Sequence, residues 1–277
     1  MSIISEIKES KELLRNLTMR EIKGKYKRTS LGQLWSLANP IAAMLIYSFV
    51  FQFIIRVRPD AGDPSGLNVF ALWLMCGLLP WTFFTNVVNG GIGSIVGNEN
   101  LVKKVYFPRS ALVISNALSW FYSWSIEMVV LVIALLVFGG QPILWLLPTF
   151  VLMVLLAGFA IGIAMLLSIA NVHFRDTQHL VGILFQVWFY ANPIVYPATM
   201  VASESEKLGG IIGGITVMDL YTLNPFYYFL EAFRNLLYDN RMPDPSTILI
   251  VVALSVGAFA IGWAVFSRHQ DRLVEAL

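Results

Sequence analysis

The chain has 277 residues, of which 57% are hydrophobic and only 13% are charged, with a formal net charge of +2. A soluble domain carries roughly 25% charged residues, so this composition excludes an ordinary soluble protein and indicates an integral membrane protein. The single cysteine, Cys76, excludes a disulfide framework and a cysteine-based metal cluster.

The first 30 residues predict an amphipathic helix followed by a basic cluster. Apolar residues recur at helical spacing between positions 3 and 23, and charged residues occupy the other faces. Because its apolar face is too narrow to span a membrane, we expect this helix to lie in the membrane interface. The cluster that follows serves at least as a topology signal that contacts anionic lipid. Its cations are Arg20, Lys23, Lys25, Lys27 and Arg28.

Residues 31–277 predict a transmembrane domain with six spans, each near the length of about 20 apolar residues that a helix needs to cross a bilayer. The predicted spans are 36–56, 67–92, 111–138, 143–170, 179–197 and 246–266. Residues 209–237 contain two apolar segments that are too short to span, which predicts re-entrant helices on the outer side. The expected fold class is therefore an all-α integral membrane protein.

The longest charged interruption between the first and last spans is residues 98–109. It predicts a short amphipathic helix lying flat under the membrane and ending before Pro108, since the residue preceding a proline avoids the α region. One interpretation is a solvated loop that obeys the positive-inside rule. The other is a docking helix for a cytoplasmic partner. The docking residues would be Glu99, Asn100, Lys103, Lys104 and Arg109, while Leu101, Val105 and Phe107 would face the membrane or a cleft.

Charge distribution predicts the orientation of the spans. If both termini are cytoplasmic, most of the 19 lysine and arginine residues fall on the cytoplasmic side. This bias agrees with the positive-inside rule. We therefore expect a multi-pass protein with both termini in the cytoplasm.

Aromatic residues crowd the second, third and fifth predicted spans, where they could form an interfacial belt or line a translocation path. An ionisable residue within a span is costly and marks a functional candidate by default, although Glu127 could equally be a polar clamp between helices. We expect Glu127 to lie in the outer half of its span, with Arg56, Tyr190 or Asn192 as partners. The predicted path residues are Trp81, Phe84, Trp120, Tyr122, Glu127, Trp188 and Tyr190.

A series of short motifs in a fixed order resembles the permease subunits of polysaccharide-exporting ABC transporters. This family exports O-antigen, teichoic acid, capsule and galactan polymers linked to lipid. The resemblance covers nearly the whole chain and is greatest to the galactan exporters of the actinobacterial cell wall. The motifs are Arg20-Glu21-Ile22-Lys23, Tyr26-Lys27, Ser30-Leu31-Gly32, Leu34-Trp35, Asn39-Pro40, Leu79-Pro80-Trp81, Phe83-Phe84, residues 98–109, Phe174-Arg175-Asp176, residues 192–197 and Asn224-Pro225.

The resemblance implies a homodimer that works with two cytoplasmic ATPase subunits in a bacterial inner (plasma) membrane. It implies that the basic cluster forms a substrate entrance near the diphosphate of a lipid-diphosphate-linked polysaccharide, because guanidinium and ammonium groups suit phosphate oxygens. The residues agree that ATP and Mg are held by a partner, since the Gly24-Lys25 pair lacks the glycine that a phosphate-binding loop places five positions earlier. No cofactor in this chain and no nucleic-acid partner are expected.

Three alternatives stay open. The nearest is an ABC permease for a drug or a small lipid. An ion-coupled transporter would usually carry several ionisable groups at membrane depth, and Glu127 is the convincing case here. An integral-membrane glycosyltransferase or acyltransferase would need a metal-binding or catalytic constellation, and Asp60 and Asp63 stand in a loop without a neighbouring histidine. We therefore expect a transport subunit rather than an enzyme.

Overall fold

A computed structural model describes residues 11–25, 27, 29–30, 32–105, 107–208, 216–270 and 273 of the chain. Within these ranges the regular structure is helical and contains no β-strand, which confirms the predicted all-α class. The α-helices in chain order are α1 (Lys11–Lys25), α2 (Trp35–Tyr47), α3 (Phe70–Ser94), α4 (Glu99–Lys104), α5 (Ser110–Val137), α6 (Leu146–His173), α7 (Thr177–Tyr190), α8 (Ala198–Leu208), α9 (Val217–Thr222), α10 (Pro225–Arg234) and α11 (Pro245–His269).

Five helical segments of the described chain are long and apolar enough to cross a membrane, and they match five of the six predicted spans. The first combines a 3₁₀ turn, α2 and a π-helical continuation at Ser48–Ile54. The fourth is α6 preceded by a 3₁₀ turn. The five segments are Gly32–Ile54, Phe70–Ser94, Ser110–Val137, Pro142–His173 and Pro245–His269.

The fifth predicted span, residues 179–197, is the exception. Its helix α7 has 14 residues and ends at Tyr190. At 1.5 Å per residue it is about 21 Å long, which is shorter than the ~30 Å hydrocarbon core. The predicted end was wrong because Pro193 disfavours helical geometry in the residue before it, so a turn follows α7 instead.

The segments that connect the long helices meet at two opposite ends of the bundle. At the α4 end, buried apolar residues from α1, α4, α5, α6 and α11 pack in one cluster. At the opposite end, the Ser65 hydroxyl donates a 2.5 Å hydrogen bond to the carbonyl of Tyr238. There the Gln141 amide also donates to the Asn240 side chain at 2.7 Å. This placement of the connecting segments at alternate ends supports six passes of the chain, with α7 as one of them. Which end faces the cytoplasm stays a prediction.

Short helices occupy the region between α7 and α11, where re-entrant helices are predicted. A capping box starts α9, because the Thr216 hydroxyl accepts from the Asp219 amide and the Asp219 carboxylate accepts from the Thr216 amide. The side chain of Asn224 caps α10 by accepting from the Phe226 amide at 3.1 Å. Residues 209–215 of the predicted re-entrant segment lie outside the described residues.

Helix α3 is the centre of the bundle, and α6 and α11 form its tightest crossing. In the most apolar 18-residue stretch of α3, 78% of the residues are buried, whereas in that of the first span 6% are buried. Gly162 and Gly262 allow the backbones of α6 and α11 to touch: a Cβ on Gly262 would stand 2.3 Å from the carbonyl oxygen of Gly162. Small residues permit this close approach between membrane helices.

Candidate functional site

A cavity of about 480 Å³ lies between the end of α1, the start of α2, α3 and α5. It brings together residues from two sets that the sequence analysis predicted separately, Lys25 from the entrance and Trp120 and Glu127 from the path. Its remaining lining is mostly polar or aromatic. That lining includes Thr29, Trp35, Ser36, Asn39, Thr82 and Asn86.

Lys25 is the cation of this cavity. Its ammonium nitrogen lies 3.3 Å from the ring centroid of Trp120, a cation–π contact of the kind worth ~0.5–2 kcal/mol. The nitrogen is buried and has no hydrogen-bond partner among the described residues. Burial lowers the pKa of Lys25 to about 7, while the carboxylates of Glu21 and Glu127 act in the opposite direction. Lys25 therefore brings to the wall of the cavity a buried amine without a hydrogen-bond partner in the described chain.

Glu127 faces the same cavity, and Lys25 is the charged group that interacts with it. The predicted partners Arg56, Tyr190 and Asn192 are wrong. The Asn192 side chain instead accepts from the Asn224 amide at 2.8 Å and donates to the carbonyl of Trp188. The correction has a physical cause: α1 packs along α5, so that a side chain from the amino-terminal helix reaches the interior.

The other described cations of the predicted entrance do not converge on the cavity. Arg20 is paired with the carboxylate of Glu21 at 2.9 Å and donates to the Asn98 side chain at 2.7 Å. Lys23 and Lys27 are exposed to solvent. Arg28 lies outside the described residues. Of the four predicted residues that the structure describes, Lys25 is the one that lines the cavity.

The predicted path residues separate into three groups. Trp120 and Glu127 line the cavity. Tyr122 and Tyr190 are exposed on the protomer. The third group packs together: the ring centroid of Trp81 lies 5.5 Å from that of Trp188, and the rings of Phe84 and Trp188 are 5.6 Å apart.

This third group belongs to an aromatic cluster in the core. Phe226 of α10 contacts Trp81 at 4.9 Å and Phe84 at 5.2 Å. Trp81 and Phe84 are buried within the protomer, where packing alone accounts for their presence. The described protomer therefore gives Trp120 and Glu127, rather than Trp81 and Phe84, a surface open to a ligand.

The predicted docking residues lie on and beside α4. The Lys103 ammonium group donates to the Glu99 carboxylate at 2.6 Å, and this hydrogen bond lowers the pKa of Glu99. Asn100 and Lys104 are exposed. Arg109 does not share this surface, because its side chain is 9% exposed at the start of α5.

The apolar neighbours of α4 divide in a similar way. Phe107 is buried in the cluster at the α4 end, and Leu101 packs against that cluster. Val105 is exposed. The helix is thus anchored through one face and presents Glu99, Lys103 and Lys104 on another.

Sequence analysis missed several polar residues of the cavity. Thr82 and Asn86 stand four positions apart on α3, so they share one helix face, and that spacing was a readable signal. Asn39 appeared only as part of the Asn39-Pro40 motif. Polar residues on one face of a membrane span are candidates for a functional site, as Glu127 is.

The fold and the cavity define a multi-pass helical membrane protein with a polar, aromatic-lined cavity between its spans and a charged helix at one end. Residues 12–238 match the family model described as ABC-2 type transporter. The chain therefore belongs to the ABC-2 type transporter family, which places it among transport proteins rather than glycosyltransferases or acyltransferases.

Curated relatives align with the chain over nearly its whole length. It is 27% identical to the O-antigen export system permease protein RfbA of Myxococcus xanthus, with 99% of both chains covered. It is 28% identical to the RfbA protein of Klebsiella pneumoniae, with 96% of this chain and 95% of the relative covered. It is 21% identical to the polysialic acid transport protein KpsM of Escherichia coli, with 93% of each covered.

Proposed function

We propose that the chain is the membrane-spanning subunit of an ATP-driven exporter that moves a lipid-linked polysaccharide from the cytoplasmic to the outer side of a bacterial inner membrane. The observation that carries this proposal is the end-to-end alignment with permeases named for O-antigen export and polysialic acid transport. These names favour a polysaccharide over a drug or a small lipid. The cavity fits the role because an amine, aromatic rings and a carboxylate suit a phosphate-bearing saccharide head group.

The proposed assembly is a homodimer with two cytoplasmic ATPase subunits, which supply ATP and Mg. The first span supports the dimer because it is almost uncovered in the protomer: only 6% of the residues in its most apolar stretch are buried. Large apolar side chains such as Phe49 and Phe53 are more than half exposed on it. A second copy of the chain, together with membrane lipid, would cover this face. The ATPase subunits would dock at α4, with both termini of the permease in the cytoplasm.

Depletion of the protein in its host tests the proposed function. Lipid-linked polysaccharide should accumulate inside the cell while surface polysaccharide falls, and the wild-type gene should restore both. Fractionation of spheroplasts followed by polysaccharide-specific staining separates the two pools. Normal surface polysaccharide without the protein would refute the proposal.

A further inference from the structure

A second cavity, of about 330 Å³, lies at the end of the bundle opposite α4. The loop before α3, the start of α3, the turn after α7 and helix α10 enclose it. Its volume falls at the lower end of the range of about 300–1,000 Å³ that is usual for small-ligand pockets. Neither Lys25 nor Glu127 contributes to it, so it is distinct from the cavity described above.

Arg234 forms the fixed floor of this cavity. Its guanidinium group donates to the carbonyls of Pro193 at 2.6 Å and Ile194 at 3.0 Å. The same group lies 3.7 Å from the ring centroid of Trp73. Gly77 makes room for it, since a Cβ at that position would stand 3.1 Å from the guanidinium nitrogen. The floor is therefore preorganised before any ligand arrives.

Two polar side chains of the lining can form hydrogen bonds with a ligand. Asn235 is 4% exposed and lines the cavity, and its side-chain amide can both donate and accept. The hydroxyl of Tyr227, which also lines the cavity, can do the same. A ligand that donates and accepts hydrogen bonds would pair with both side chains.

The charges of the lining select the kind of ligand. Four carboxylates face two guanidinium groups, which leaves an excess of negative charge that disfavours anions. Carboxylates accept hydrogen bonds from hydroxyl groups, while the amide of Asn235 can both donate and accept. Among the described residues no acidic group of three is close enough to hold a metal ion. The charged residues are Asp60, Asp63, Glu231, Asp239, Arg234 and Arg241.

We propose that this cavity binds a sugar residue that carries hydroxyl groups and no negative charge. The carboxylates and the Asn235 amide pair with its hydroxyls, and the ring of Tyr227 supplies a flat face for its C–H groups. The inference deepens the proposed function and rests on it: each permease subunit holds a neutral unit of the exported chain at the end opposite α4. An acidic polysaccharide would not be retained there.

Saccharide binding to the full-length protein in lipid nanodiscs, without the ATPase, tests this inference. Saturation-transfer NMR would use galactose, glucose and mannose disaccharides as probes, with N-acetylneuraminic acid as the anionic comparison. The variant Asn235→Leu removes the amide at similar volume, and Tyr227→Phe removes the hydroxyl alone. Val129→Ala, at an exposed position of α5 that lines neither cavity, is the control.

At least one neutral disaccharide should bind to the wild type and to the control. Its dissociation constant should rise about five-fold or more in both cavity variants, as expected when a buried hydrogen bond is lost. The inference is wrong if Asn235→Leu and Tyr227→Phe keep their melting temperature and bind the disaccharide like the wild type. It is equally wrong if N-acetylneuraminic acid binds more tightly than every neutral probe.

The proposed function fails separately from this inference. Normal surface polysaccharide after depletion refutes the exporter, whatever the nanodiscs bind. A working exporter whose nanodiscs bind no neutral saccharide refutes the site and leaves the exporter intact.

Discussion

Glu127 is the residue whose role the structure narrows most. It faces the cavity, and the charged group that interacts with it is Lys25 of the amino-terminal helix rather than a residue of another span, so a clamp between spans is the weaker interpretation. We expect Glu127→Ala to leave the melting temperature within about 2 °C of the wild type. Polymer export should slow several-fold, because the carboxylate no longer contacts the moving saccharide.

Two further variants separate the interpretations of Glu127. Glu127→Gln keeps the shape and removes the charge, and Val129→Ala changes an exposed position of the same helix as a control. If Glu127 is a clamp, Glu127→Gln should leave the melting temperature nearly unchanged and Glu127→Ala should lower it. Wild-type stability and wild-type export in Glu127→Ala would contradict both roles.

Lys25 gives the cavity a charge that depends on pH. Because the pKa of Lys25 is lowered to about 7, the amine is charged below that pH and neutral above it. If the charged amine binds substrate phosphate, export should fall as the pH on the α1 side rises from 6 to 8. Lys25→Arg should flatten this dependence, since a guanidinium group stays protonated throughout.

The measurement is the initial rate of polymer uptake into everted vesicles, with ATPase activity recorded in parallel. In Lys25→Met the rate of polymer uptake should be low and should not change with pH. If the uptake rate, divided by the ATPase activity, depends on pH in both variants as it does in the wild type, then Lys25 does not determine that pH dependence.

At the scale of the element, α4 is a surface held by one face and open on the other. Reversing two charges, Lys103→Glu with Lys104→Glu, breaks the bond to Glu99 and replaces two cations of this surface with carboxylates. We expect the permease to fold normally while ATP hydrolysis by the partner becomes uncoupled from export. Arg58→Glu, an exposed charge reversal at the opposite end, should have no such effect.

Co-purification with the ATPase and stimulation of its activity are the readouts for α4. A double variant that binds and stimulates the ATPase like the wild type would contradict the docking assignment. Arg109 is left out of this test because it is buried.

The crossing of α6 and α11 makes a separate prediction about stability. Gly262→Ala places a methyl group 2.3 Å from a backbone carbonyl that cannot turn away, so the helices must separate. Overpacking of this kind costs about 1–3 kcal/mol. Gly158→Ala and Gly257→Ala on the same two helices meet no atom within 4 Å and should be neutral or slightly stabilising.

Thermal unfolding in detergent compares these alanine variants directly. Equal melting temperatures for Gly262→Ala and the two controls would show that the backbones do not touch at this crossing.

At the scale of the whole molecule, cysteine labelling tests the predicted sidedness. The natural Cys76 is buried and should not react. Leu220→Cys and Val105→Cys place thiols at exposed positions of opposite ends. An impermeant maleimide should label Leu220→Cys in intact cells and Val105→Cys only after permeabilisation. The reverse pattern would invert the topology, and labelling of both from one side would rule out six passes.

Sequence patterns predicted the elements better than the contacts between them. Runs of apolar residues are a local property, and five predicted spans appear as helices of the expected length. The span at α7 was predicted too long, because the apolar residues continue past Tyr190 although Pro193 disfavours a helix there. The meeting of Lys25 with Trp120 joins residues far apart in sequence, and nothing in either segment encodes which helix α1 will pack along.

The glycine crossing between α6 and α11 also determines where the protein can deform. Two helices in direct backbone contact have no side chains between them that could change rotamer, so we expect them to move together. The first span is the opposite case, since it is barely packed against its own protomer and carries a π-helical stretch at its far half. We therefore expect movement during transport to be concentrated in the first span, with α6 and α11 moving as a pair.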